Sequence, residues 1–167
     1  MEPQKTLKKL KESAVFAEWS KKNPDNFFSY ALKILEGKEE QPWQLGFYLK
    51  EKDKMASFTI NPGNIEMQKE EEVFKKPDME VNPIDIKNVK LDFNKILEKA
   101  ELFKKEKYPD ELASKTIAIL QNLESYGDIW NITFVTFSYN VLNLKLSAET
   151  GRVLYSHLES LMDFRQA

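Results

Sequence analysis

Apolar positions recur at helical spacing over residues 6–20. Leu7, Leu10, Ala14 and Ala17 share one face, which Val15, Phe16 and Trp19 widen. Asn23-Pro24-Asp25 ends that helix. The period then changes to two. Phe28, Tyr30, Leu32 and Ile34 alternate as in a strand, and a polar loop runs from Gly37 to Pro42. Trp43, Leu45, Phe47 and Leu49 alternate with Gln44, Gly46, Tyr48 and Lys50. A turn at residues 51–54 returns the chain through Ala56, Phe58 and Ile60, and a turn at 61–64 leads to a short strand at Ile65–Met67.

A charge run from Lys69 to Lys76 and two prolines, Pro77 and Pro83, separate this pattern from its resumption. Phe93, Ile96, Leu97, Ala100 and Phe103 make an amphipathic helix with Asp92 as its N-cap. Tyr108-Pro109-Asp110 breaks it. Strands follow at Ile117–Leu120, Trp130–Val135 and Leu142–Leu146, with a turn at 138–140 and another at 147–151. A short strand at Val153–Tyr155 comes last. Ser156 and Glu159 have capping-box spacing, which predicts a final helix carrying Leu158, Leu161, Met162 and Phe164.

The two patterns share one order. Leu32–Leu35 lies 85 residues before Ile117–Leu120, and Trp43–Phe47 lies 87 before Trp130–Phe134. Phe58–Ile60 lies 86 before Leu144–Leu146, and Gly63–Ile65 lies 88 before Gly151–Val153. This predicts an internal repeat: repeat 1 over residues 1–68, a linker over 69–91, and repeat 2 with a C-terminal helix over 92–167. The expected fold class is α+β, two tandem copies of a helix packed on a three- to four-stranded antiparallel sheet. A unit of about 60–70 residues buries only about 60% of its unfolded surface. One sheet face of each copy should therefore pack its own helix. The second face of repeat 2, with Val135, Phe137 and Val141, should meet repeat 1 or a partner protein.

Composition narrows the chemistry. The 167 residues are 41% hydrophobic and 31% charged, with 25 Lys+Arg against 27 Asp+Glu. A net charge of −2 gives no electrostatic footprint for nucleic acid. With no cysteine and one histidine, His157, the chain can build neither thiolate sites nor a histidine-rich metal centre. No phosphate-binding glycine loop, zinc-protease or calcium-loop pattern is present. No apolar run reaches the roughly 20 residues of a membrane span. Residues 1–19 lack a signal-peptide core, which predicts a cytoplasmic chain, or an extracytoplasmic one if an amino-terminal anchor has been trimmed.

Residues 92–156 resemble a PepSY domain. The resemblance rests on a helix, the strand Trp130-Asn131-Ile132-Thr133-Phe134-Val135, and the segment Asn143-Leu144-Lys145-Leu146-Ser147-Ala148-Glu149-Thr150-Gly151-Arg152-Val153-Leu154. Ala148, Thr150 and Gly151 fit the family's turn, while Ser147 replaces its usual aspartate. The resemblance implies a cystatin-like fold, protein interaction and regulation of peptidases, with no catalytic residues and no cofactor. It makes a protein or peptide, conceivably a peptidase, the expected partner, and leaves the oligomeric state open.

Individual residues read as follows. Val135, Phe137 and Val141 form the candidate partner surface. Trp43 and Trp130 occupy matching positions and are either core residues or platforms for ligand stacking. Tyr48, Thr133, Thr136 and Tyr139 are candidate polar contacts for a small molecule, the alternative to a protein partner. His157, Glu70–Glu72 and the lysines of the first helix read as solvated surface. No catalytic, metal or cofactor residue is assigned.

Overall fold

A computed structural model describes residues 2–73 and 80–164. The chain opens with helices α1 (Pro3–Lys11) and α2 (Ala14–Lys22). Six strands follow: β1 (Asn26–Glu36), β2 (Glu39–Glu40), β3 (Trp43–Leu49), β4 (Lys54–Ile60), β5 (Ile65–Met67) and β6 (Glu71–Glu72). A 3-10 turn at Ile86–Asn88 precedes helix α3 (Phe93–Lys107). Then come β7 (Ala113–Leu123), β8 (Gly127–Thr136), β9 (Asn140–Ser147), β10 (Val153–Ser160) and the short helix α4 (Leu161–Phe164).

All ten strands belong to one antiparallel sheet. Its order is β10–β9–β8–β7–β1–β3–β4–β5, with β2 on β1 and β6 on β4. The expectation of two separate helix-on-sheet units is therefore wrong. The segments around Leu32–Leu35 and Ile117–Leu120 do not head independent sheets. They pair with each other at the centre of a single one, in a register running from Tyr30↔Gln121 to Glu36↔Lys115. The physical reason is the edge: a long first strand would leave a row of backbone donors and acceptors unpaired. Joining edges removes two such rows. The first half accordingly extends the sheet sideways, and does not cover the second face of the other half.

Helices α1, α2 and α3 lie on one face. Rows of side chains cross that face from strand to strand: Leu146, Trp130, Leu120, Ala31, Leu45 and Phe58 form one such row, and all are buried. Helix α2 lays Phe16 and Trp19 on Phe47 and Phe58, with ring centroids 4.9 Å apart for Phe16–Phe47 and 5.2 Å for Trp19–Phe58. Helix α3 inserts Phe93 between Trp43 and Trp130, at 5.1 and 5.2 Å, and buries Ile96 and Ala100. The residue that heads α3 thus clamps a strand from each half.

Further contacts tie the halves together. Asp92 caps α3 by accepting from Lys95 N at 2.8 Å, as its sequence position predicts. A second acceptor comes from the far end of the chain, because Glu2 Oε2 takes the amide of Phe93 at 2.8 Å. Gln4 Nε2 donates to Val89 O at 2.9 Å.

Other local expectations are corrected. The helix read over 6–20 is two helices, because Ser13 starts α2 by accepting from Phe16 N at 3.2 Å. The final helix does not begin at the Ser156/Glu159 spacing. Strand β10 continues to Ser160, with Ser156 opposite Leu144 and Leu158 opposite Leu142, and only Leu161–Phe164 is helical. An eight-residue partner edge on β9 outweighs a two-residue capping signal. The turn at 147–151 forms as its residues require: Gly151 has φ +75° and Thr150 Oγ1 accepts from Arg152 N. Glu71 and Glu72 form β6, while Lys76 and Pro77 lie outside the described residues.

Candidate functional site

The sheet face opposite the helices carries two features of interest, and the strand period builds both. Side chains one position out of phase with the core rows point to this face. At its centre Leu32 sits opposite Ile119 and Ile34 opposite Ile117, all half-buried. Polar rows flank this aliphatic seam. On the β8–β10 side, Asn143 Nδ2 donates to Asn131 Oδ1 at 2.5 Å and to Thr133 Oγ1 at 3.1 Å. Lys145 Nζ donates to Asn143 Oδ1 at 2.9 Å and lies 3.8 Å from the centre of the Tyr155 ring. Burial holds the Lys145 ammonium below its ordinary pKa. On the β3 side, Gln44 Nε2 donates to Tyr30 Oη at 2.8 Å.

Tyr30 is the best-defined group on this face. It pairs with Gly46 across β1 and β3, one step beyond a register shift at Phe28/Tyr30. Its ring lies over Gly46, so closely that a Cβ there would fall 1.9 Å from Tyr30 Cε1. A glycine inside a strand marks this kind of close approach. Burial raises the phenol's pKa above 10, partly opposed by hydrogen bonds from Gln44 and Ser57. The ring borders a groove of about 400 Å³, together with Leu32, Met55, Ile119, Gln121 and Asn82.

The second feature is the end of the sheet at the β8–β9 hairpin. Val135 and Val141 face each other across the last pair before the turn. Phe137 and Tyr139 project from the tip, 70% and 72% exposed. Phe137 N donates to Leu112 O at 3.0 Å, which brings in Leu112 at 65% exposure. Leu161 N donates to Tyr139 O at 2.8 Å, which places Met162, 57% exposed, on the same end. Thr136 holds the turn, its Oγ1 accepting from Asn140 N at 3.1 Å. Tyr139 adopts φ +59°, a conformation uncommon outside glycine, asparagine and aspartate. The candidate partner residues Val135, Phe137 and Val141 thus stand together on one hairpin.

The other candidates are dispersed. Trp43 and Trp130 are 3% and 0% exposed and pack on Phe93 beneath the helices; Trp130 lies wholly within the core, and Trp43 also borders a cavity beside α1. Tyr30 is an aromatic ring on the open face that is not among the residues singled out from the sequence. Its signal was Gly46 in the middle of a strand. Tyr48 is buried and hydrogen-bonds Asp53, Thr133 belongs to the asparagine network and Thr136 to the hairpin turn. His157 is exposed on β10 near Tyr155. Among the described residues, no group of His, Asp and Glu is arranged to hold a metal ion, and no helix is long and apolar enough to cross a membrane. No family model, curated protein or solved structure matches the chain.

Proposed function

We propose that this chain is a non-catalytic protein-interaction module that docks through the apolar end of its sheet. The observation that carries this reading is the cluster Leu112, Phe137, Tyr139 and Met162, four large apolar side chains each more than half exposed at one end. A continuous apolar patch on a soluble surface marks a contact site. Phe and Tyr are also the kind of large, rigid anchors that dominate interface energetics. The hairpin is held by a ten-pair ladder to β7 and by the Thr136–Asn140 bond, so the anchors are presented already ordered. That lowers the entropy cost of docking.

Site-specific photocrosslinking tests this reading. A benzophenone amino acid at position 137 should give a discrete heavier adduct in native lysate, and the same probe at the exposed Ser125, in the β7–β8 turn at the opposite end of the sheet, should not. Adding Tyr139→Glu should abolish the adduct. Equal labelling from both positions would refute docking at this end. A peptidase in the adduct would extend the reading to peptidase regulation. A second reading has its own observation: the groove beside Tyr30 is of a size for a small molecule.

A further inference from the structure

Lys33 breaks the pattern of the covered face. Its row runs Leu144, Ile132, Ala118, Lys33, and the first three are fully buried apolar residues. Lys33 is in the same layer, with a side chain only 8% exposed. Burying an ammonium in such a row is costly unless it is paired, and an apolar side chain would fill the position more cheaply. The pairing is one-sided. Nζ lies 3.0 Å from Oε1 of Glu40, whose own side chain is 53% exposed, and 5.2 Å from the centre of the Trp43 ring.

Lys33, Glu40 and Trp43 also line one cavity of about 500 Å³ between α1, the β1–β3 connection and the β4–β5 turn. Lys9 supplies a second ammonium to its wall, and Ile60 and Pro62 an apolar side. The wall therefore holds two cations, one carboxylate and an apolar surface, in a volume within the range of small-ligand sites. Charge complementarity selects a ligand with one anionic and one cationic end. A ligand of a single charge would be drawn to one member of the Lys33–Glu40 pair and repelled by the other, 3.0 Å away.

We propose that this cavity binds a small zwitterion of the amino-acid or dipeptide class. The ligand carboxylate lies on Lys33 and Lys9, its ammonium on Glu40, and its apolar side chain against Trp43 and Ile60. The site is on the helix-covered side of the sheet and is independent of the docking end.

The test is a titration of the 167-residue chain followed by amide chemical shifts. Leucine and leucylleucine are the probes, up to about 10 mM, which reaches millimolar affinities. Saturable shifts centred on Lys33, Glu40, Trp43 and Asn61 are expected from at least one of them. Blocking one charge, as in leucinamide or 4-methylpentanoate, should weaken binding by about tenfold or more, because each removes a charge-assisted contact. Lys33→Met should abolish the shifts while leaving the thermal transition in place, since Glu40 is left exposed to water. Should that variant fail to fold, the exposed Lys9→Ala and the analogues on the native chain decide the matter. Absence of saturable shifts from both probes, or equal binding of 4-methylpentanoate, overturns the proposal.

Discussion

Replacing Gly46 by alanine should destabilise this protein, although in most strands the same change is stabilising. Gly46 has an ordinary strand backbone, so alanine incurs no φ penalty, and removing glycine's chain freedom normally stabilises by about 0.5–1 kcal/mol. Here the new methyl would lie 1.9, 2.2 and 2.5 Å from three atoms of the Tyr30 ring. The ring must leave the sheet, giving up its bond from Gln44 and its packing. An overpacked side chain costs about 1–3 kcal/mol, so a net loss of about 1–2 kcal/mol is expected from Gly46→Ala alone. With Tyr30→Ala already present the obstruction is gone, and Gly46→Ala should become neutral or stabilising by up to about 1 kcal/mol. The coupling read from this double-mutant cycle is then about 2 kcal/mol, well above the additivity error for separate sites. Urea unfolding of the four proteins, followed by tryptophan fluorescence, measures it. Equal loss in both backgrounds would mean that Tyr30 does not rest on Gly46, and the account of this face would fall.

Further outcomes follow from other contacts. Trp130→Ala, which empties the site between Phe93 and the sheet, should cost about 3–5 kcal/mol in urea unfolding. Residues 1–83 and 84–167 made separately should each give coil-like circular dichroism, with strand signal returning on mixing, because each half lends core to the other. Phe137→Glu should leave stability within about 0.5 kcal/mol of the parent in the same unfolding assay, since the side chain is 70% exposed. The raised pKa of Tyr30 means the folded state holds that proton more tightly than the unfolded chain. Its stabilising contribution is complete below pH 10 and is lost as pH rises through the folded value. Melting temperatures of Tyr30→Phe should therefore fall less steeply above pH 10 than those of the parent.

Much of the fold is legible in the sequence because it is local. The alternation at Trp43–Leu49 and Trp130–Val135, the cap at Asp92 and the turn at Gly151 each state a backbone preference within a few residues. How the strands join is not local. Nothing near Ile34 or Ile117 says that these two positions are partners, and alternation with apolar residues on both faces describes a central strand and a stacked one equally well. The end of β10 fails for a related reason. Ser156 and Glu159 carry a true capping spacing, but a ladder to a distant strand decides the outcome. The candidate site divides in the same way. The hairpin residues Val135, Phe137 and Val141 lie near each other in sequence and are found together. The place of Tyr30 depends on its cross-strand neighbour Gly46, and the burial of Trp130 depends on helices that come from elsewhere in the chain.

The central pairing of β1 with β7 also sets a timetable. These strands lie about 80 residues apart in the chain, so their alignment requires closing a long loop before any ladder bond is gained. During synthesis β1 is complete while its neighbour on that side has yet to leave the ribosome. For that interval the strand presents an unsatisfied edge with Leu32 and Ile34 beside it, the kind of surface that chaperones hold and aggregates recruit. The seam that closes this long loop is the middle of the finished protein, and the yield of folded chain should be set there.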